Sequence, residues 1–196
     1  MTIPKNNDLY GLVLAGGQSS RMGVDKSHLD FHGIPQKDYV FHLLESHCKE
    51  VHTSISSDVH GGTFTNALLD QFPFRSPLNG ILTAFHNHPN AAWLTLPIDM
   101  PFVNEQTLRV LIENRNKNKV ATCFYDVEEK FPEPLLTIWE PKARVPLLEF
   151  HENGKKSPRE FLISSDVNLI KAPDKNWLIS VNTPEEFARI RGQMPK

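Results

Sequence analysis

The stretch Leu9-Tyr-Gly-Leu-Val-Leu-Ala15 is almost wholly apolar and runs straight into Gly16-Gly17. A short apolar run ended by glycine predicts a strand buried on both faces, and such strands belong to parallel sheets covered by helices. The rest of the chain fits that plan. Helical spacing from Gln36 to Cys48 puts Val40, Leu43, Leu44 and His47 on one face. Val51 to Ser56 predicts a second strand, Ala67 to Leu69 a short third, and Leu78 to Phe85 a helix entered through Pro77. Ala91 to Leu96 predicts another apolar strand, and Asn104 an N-cap for a helix carrying Leu108, Leu111 and Ile112. Strands follow at Val120 to Tyr125 and Leu135 to Trp139, then a helix from Lys142 to Phe150. Thr183-Pro-Glu-Glu186 has capping-box spacing, with Pro184 at the first helical position. Glu152 to Arg159 is the most polar run and predicts a loop. Strands alternating with helices predict the α/β class, as a three-layer α/β/α sandwich around a mainly parallel sheet. The 196 residues fit one domain over 1–196.

Charge and cysteine content narrow the function classes. A formal net charge of -2 argues against a general nucleic-acid binder, which carries a basic excess. Cys48 and Cys123 lack the spacing of a zinc site or a disulfide framework. The opening residues lack a signal-peptide profile, and no apolar run reaches the ~20 residues of a membrane helix, so the expected location is the cytoplasm. The histidines show no metal-binding spacing and read as surface residues.

The segment Leu14-Ala-Gly-Gly-Gln-Ser-Ser-Arg-Met-Gly-Val-Asp-Lys26 carries the strongest chemical signal. Gly16 and Gly17 let the backbone approach a ligand closely, and exposed N–H groups in such a turn form an anion-binding concavity. Arg21 adds a forked donor and Lys26 a compact point charge, a combination suited to a triphosphate. The loop is not a Walker A motif: five residues separate Gly17 from Gly23, and Val24-Asp25 precede Lys26. The dinucleotide pattern GxGxxG is absent as well. The plainer alternative is a tight strand-to-helix turn with surface charges. Asp99, at the end of the strand Ala91 to Leu96, should stand where ligands bind in open α/β sheets. There it can hold Mg²⁺, or simply cap the helix that follows.

The loop resembles the signature of the molybdenum cofactor guanylyltransferases, nucleotidyltransferases with a glycosyltransferase-A type fold of the nucleotide-diphospho-sugar transferase kind. Further segments carry the same resemblance: Ser76-Pro-Leu-Asn-Gly80, Leu96-Pro-Ile-Asp-Met-Pro-Phe102, Pro134-Leu-Leu-Thr-Ile138 and Val181-Asn-Thr-Pro-Glu-Glu186. It implies catalytic roles for Arg21, Lys26 and Asp99, with Asp99 the Mg²⁺ ligand. Leu14, Ala15, Gly16, Gly17, Lys26, Ser54, Asp70 and Asp99 would line the nucleotide. Ser54 stands where family members often place an asparagine, which leaves a smaller polar group. Asn182, Lys155 and Arg159 are candidates for the acceptor side, although a charge run such as Lys155-Lys156 also reads as a solvated face. Trp139 and Trp177 could stack on a pterin, with core packing the default.

The reaction so implied is GTP plus molybdenum-bound molybdopterin giving the guanine dinucleotide cofactor and pyrophosphate. Transient contact with other cofactor-biosynthesis proteins or acceptor molybdoenzymes would follow. Gly16 favours guanine, since cytidylyl relatives look like Leu-Ala-Ala-Gly here. The alternatives are a cytidylyltransferase, a relative acting on another phosphorylated acceptor, and a non-catalytic nucleotide- or cofactor-binding accessory protein.

Overall fold

The computed structural model describes residues 8–15, 29–56 and 63–194. In chain order the elements are β1 (Leu9–Leu14), α1 (Gln36–Glu45), β2 (Val51–Ile55), β3 (Ala67–Leu69), α2 (Pro77–Asn87), β4 (Ala92–Pro97) and α3 (Glu105–Glu113). They continue with β5 (Ala121–Asp126), β6 (Phe131–Trp139), α4 (Arg144–Glu152), α5 (Pro158–Ser164), β7 (Asn168–Lys171) and α6 (Pro184–Arg191).

The strands form one sheet ordered β3-β2-β1-β4-β6-β5-β7. All pairings are parallel except those of β6, which runs antiparallel between β4 and β5. The period of two along each strand divides the core. Leu9 and Val13 of β1, with Ala92, Leu94 and Leu96 of β4, face Val40, Leu43 and Leu44 of α1 and Leu108 and Leu111 of α3. Leu12 and Leu14, with Trp93, face α2, α4 and α5 through Leu78, Ile81, Leu147, Phe150 and Phe161. Gly11 interrupts the first of these faces because α1 crosses close to it. A Cβ there would come within 3.1 Å of Leu44 Cβ and Val51 Cγ2.

Local capping fixes where several helices begin. Ser76 accepts the Leu78 N–H ahead of α2, and Asn104 and Thr183 head full capping boxes for α3 and α6. The chain departs from the sequence expectation at three places. The polar run 152–159 is only partly loop, because Ser157 caps α5 by accepting the Glu160 N–H. Strand β7 was not foreseen; it is a four-residue edge strand seated on β5. Helix α1 stops at Glu45, so His47 lies beyond it, buried and 2.6 Å from Glu105 Oε2. His52 is buried as well, which overturns the reading of the histidines as surface groups. Trp139 and Trp177 are core residues, and the Trp139 indole N–H donates to Thr95 Oγ1.

Candidate active site

The parallel strands bring their carboxyl ends to one edge. Leu14 of β1 stands level with Ser54 of β2 on one side and Pro97 of β4 on the other. The Ala15 N–H donates to the Ser54 carbonyl at 3.1 Å, and the Asp70 N–H to the Ile55 carbonyl at 2.9 Å. Leu14, Ala15, Ser54, Asp70 and Asp99 therefore share the rim where α/β sheets bind ligands. Gly16, Gly17, Arg21 and Lys26 lie outside the described residues.

On the β2–β3 side, Ser54 is almost fully buried and its hydroxyl donates to Asp70 Oδ1 at 2.9 Å. Burial pushes the Asp70 carboxyl up to about 6, and the Ser54 hydroxyl pulls against that rise. The loop after Asp70 is sewn to α2 by two side chains. Thr83 Oγ1 accepts the Gln71 N–H, and the Asn79 amide donates to the Phe72 and Phe74 carbonyls while accepting the Phe72 N–H. Asn79 carried no role in the sequence reading, because only this tertiary closure uses it. Gly80 completes the arrangement: a Cβ at this position would overlap Ser54 Oγ and lie 2.9 Å from Ser54 Cβ. Ser54, expected beside the nucleotide, thus spends its hydroxyl on Asp70 and is closed in by α2.

On the β4–β6 side, Asp99 is half-buried two residues beyond β4. Its carbonyl accepts the Val181 N–H at 2.8 Å, which fixes the C-terminal segment here and brings Asn182 beside it. Asn182 is exposed, and its backbone N–H donates to Glu186, the carboxylate that also closes the α6 capping box. The sequence reading missed Glu133. The β4–β6 register pairs Thr95 with Thr137, and farther back along β6 Glu133 lies close enough for the Asp99 charge to reach it. Burial pushes the Glu133 carboxyl up to about 7, and the Asp99 charge adds to the rise. The backbone N–H of Leu135 and the charge of Arg159 oppose it. One signal was available: Glu133 stands between Pro132 and Pro134, much as Asp99 stands between Pro97 and Pro101.

The acceptor-side cations separate. The Arg159 guanidinium lies 3.7 Å over the Phe131 ring, and its charge reaches Glu133. Lys155 pairs with Glu160 at 2.9 Å and rests over Phe150, so its described contacts tie it to α4 and α5 rather than to Asp99. The neighbouring Lys156 carbonyl accepts the Ser76 hydroxyl, closing this loop over the start of α2.

The donor chemistry suits a hard divalent cation. Among the described residues no three His, Cys, Asp or Glu side chains gather into a complete metal cage. Mg²⁺ does not need one, since it is commonly held by one or two carboxylates plus phosphate oxygens and water. Asp99, at the rim and within electrostatic reach of Glu133, fits that partial donor set.

The model of the MobA-like NTP transferase domain matches residues 11–168. The chain belongs to this family. Among its relatives, a molybdenum cofactor biosynthesis bifunctional protein of Synechocystis is 32% identical over 93% of the chain. The alignment spans only 53% of that relative, so the MobA-like chain has about half its length. A molybdenum cofactor guanylyltransferase of Cereibacter sphaeroides is 28% identical over 96% of this chain and 98% of its own. Solved structures agree on the fold. Molybdopterin-guanine dinucleotide biosynthesis protein A of Archaeoglobus fulgidus superposes with a TM-score of 0.76 at 20% identity, covering 94% of this chain and 97% of its own. The 2-C-methyl-D-erythritol 4-phosphate cytidylyltransferase of Thermus thermophilus gives 0.65 at 10% identity, covering 93% and 96%. This MobA-like chain is a nucleotidyltransferase. Among its described residues no helix is long and apolar enough to cross a membrane.

Proposed function

We propose that the protein transfers GMP from GTP to molybdenum-bound molybdopterin, working in the cytoplasm and releasing pyrophosphate. The observation that carries this reading is the placement of Asp99. It stands at the carboxyl end of β4, tied through its carbonyl to the Val181–Asn182 segment, in a chain whose family handles nucleoside triphosphates. The names of relatives aligned over nearly their whole length supply the guanylyl group and the acceptor.

An oxygen of the acceptor's terminal phosphate forms a bond to the α-phosphorus of GTP, the bond from that phosphorus to the bridging oxygen breaks, and pyrophosphate leaves. The attacking oxygen is already nucleophilic, so the residues need no strong general base and act by alignment and charge neutralisation. Lys26 and Arg21 grip the triphosphate and stabilise charge on the departing pyrophosphate. Asp99 would hold Mg²⁺, which would supply further charge neutralisation. Asp70 accepts hydrogen bonds from the ribose or base of the nucleotide. Arg159, which lies over the Phe131 ring, and Asn182 face the acceptor. The test is pyrophosphate release from each of the four nucleoside triphosphates, with and without molybdopterin and Mg²⁺. GTP alone should support release, and only with both additions; a preference for CTP overturns the guanylyl assignment.

A further inference from the structure

Ser54 occupies a joint rather than a binding surface. Its carbonyl accepts from Ala15, the last described residue before the glycine-rich loop, and its hydroxyl donates to Asp70. Its Cβ and Oγ fill the space that Gly80 leaves open on the first turn of α2. The residue is only 3% exposed, so it offers a nucleotide almost no surface. Asp70 has no other side-chain hydrogen bond among the described residues, and burial works against its ionised form. A carboxylate used as an acceptor must be both ionised and aimed, and one hydroxyl serves both needs.

We infer that Ser54 is a positioning residue: it sets the orientation of the Asp70 carboxylate and thereby governs nucleotide affinity without touching the nucleotide. Gly80 belongs to the same device, because only a residue without a side chain lets Ser54 reach Asp70 past α2. The inference rests on the reading of Asp70 as a nucleotide contact.

A double-mutant cycle read by calorimetric titration with GTP tests it. Ser54→Ala should weaken GTP binding by about three- to tenfold, the size of one hydrogen bond's net contribution. Asp70→Asn should weaken it at least as much, and the double variant should bind no worse than Asp70→Asn alone. Thermal unfolding of each variant checks that the native state is retained. If Ser54→Ala weakens binding by the same factor with Asp70 already replaced, Ser54 acts independently of Asp70 and the inference fails. It fails equally if Ser54→Ala binds GTP as tightly as the parent. If instead Asp70→Asn binds normally, the assignment of Asp70 to the nucleotide is what breaks.

Discussion

At the amino end of the sheet, Glu140 is buried against Arg115 through two hydrogen bonds of 2.6 and 2.9 Å, and the same guanidinium takes Asp8. At the carboxyl end, Asp70 and Glu133 are also drawn out of water, yet among the described residues neither forms an ion pair. The ionisation follows the partners. Arg115 and Lys117 hold Asp8 below its usual value against the cost of burial, whereas Asp70 and Glu133 are pushed up. Both ends contain acids, and among the described residues those of the amino end are paired with cations while Asp70 and Glu133 are not.

The largest effect should come from breaking the satisfied end. Arg115 and Glu140 have side chains only 5% and 3% exposed. Arg115→Ala strands a buried charge, which typically costs roughly 3–5 kcal/mol. The denaturant midpoint should fall accordingly, while GTP affinity of the folded fraction stays within about twofold, well under the roughly tenfold that 1.4 kcal/mol represents. A larger loss of affinity would mean that the two ends are coupled.

Next in size is Asp99→Asn at the open end. Turnover should drop by about 10²–10³, the usual consequence of removing preorganised charge stabilisation. Circular dichroism and the unfolding temperature should barely change. Near-normal turnover at saturating Mg²⁺ removes Asp99 from the metal role.

Asp70 gives a smaller effect with a defined pH dependence. Its folded-state pKa of about 6 lies above the ordinary 3.8, so the folded protein holds a proton there that the unfolded chain has lost. The group therefore lowers stability as pH rises from about 4 through 6, and at neutral pH the penalty is in force. Discounting for its partial exposure, Asp70→Asn should raise the melting temperature at pH 7.5 by about 2–4 °C, the shift that roughly 1 kcal/mol produces in a chain of this size. In the parent protein, GTP affinity should fall as pH drops through 6 and the carboxylate is protonated. A flat profile between pH 5 and 8 contradicts this.

The smallest effect is expected at Glu133, raised to about 7. Glu133→Gln should stabilise the fold at pH 8.5 and make little difference at about pH 3.5, below the ordinary 4.5 at which the unfolded chain begins to ionise there. Equal melting-temperature gains at both pH values would assign the change to packing instead.

Much of this molecule is legible in short windows of sequence. The apolar run before Gly16 marks β1, and Ser76-Pro77, Asn104 and Thr183-Pro184 mark helix starts because a cap is a contact between residues two or three apart. Asp99 was placed at the rim by the strand that precedes it, and the structure puts it there. The loop expectations at Gly16, Gly17, Arg21 and Lys26 rest on sequence alone. Lys155 shows the weakness of reading charge from a run: it is tied to Glu160 on α5, a helix the polar composition concealed.

The remainder was decided in three dimensions. Glu133 comes within reach of the Asp99 charge because β6 inserts antiparallel between two strands of a mainly parallel sheet, and no local pattern fixes that insertion. Ser54 meets Asp70 through the β2–β3 register and a gap opened by Gly80 on a different element. Sequence determines which backbone segments can bury themselves, since propensity, capping and periodicity act over a few residues. Which buried acids face each other, and so which remain partly protonated, depends on desolvation and distance, which arise only when separate elements pack.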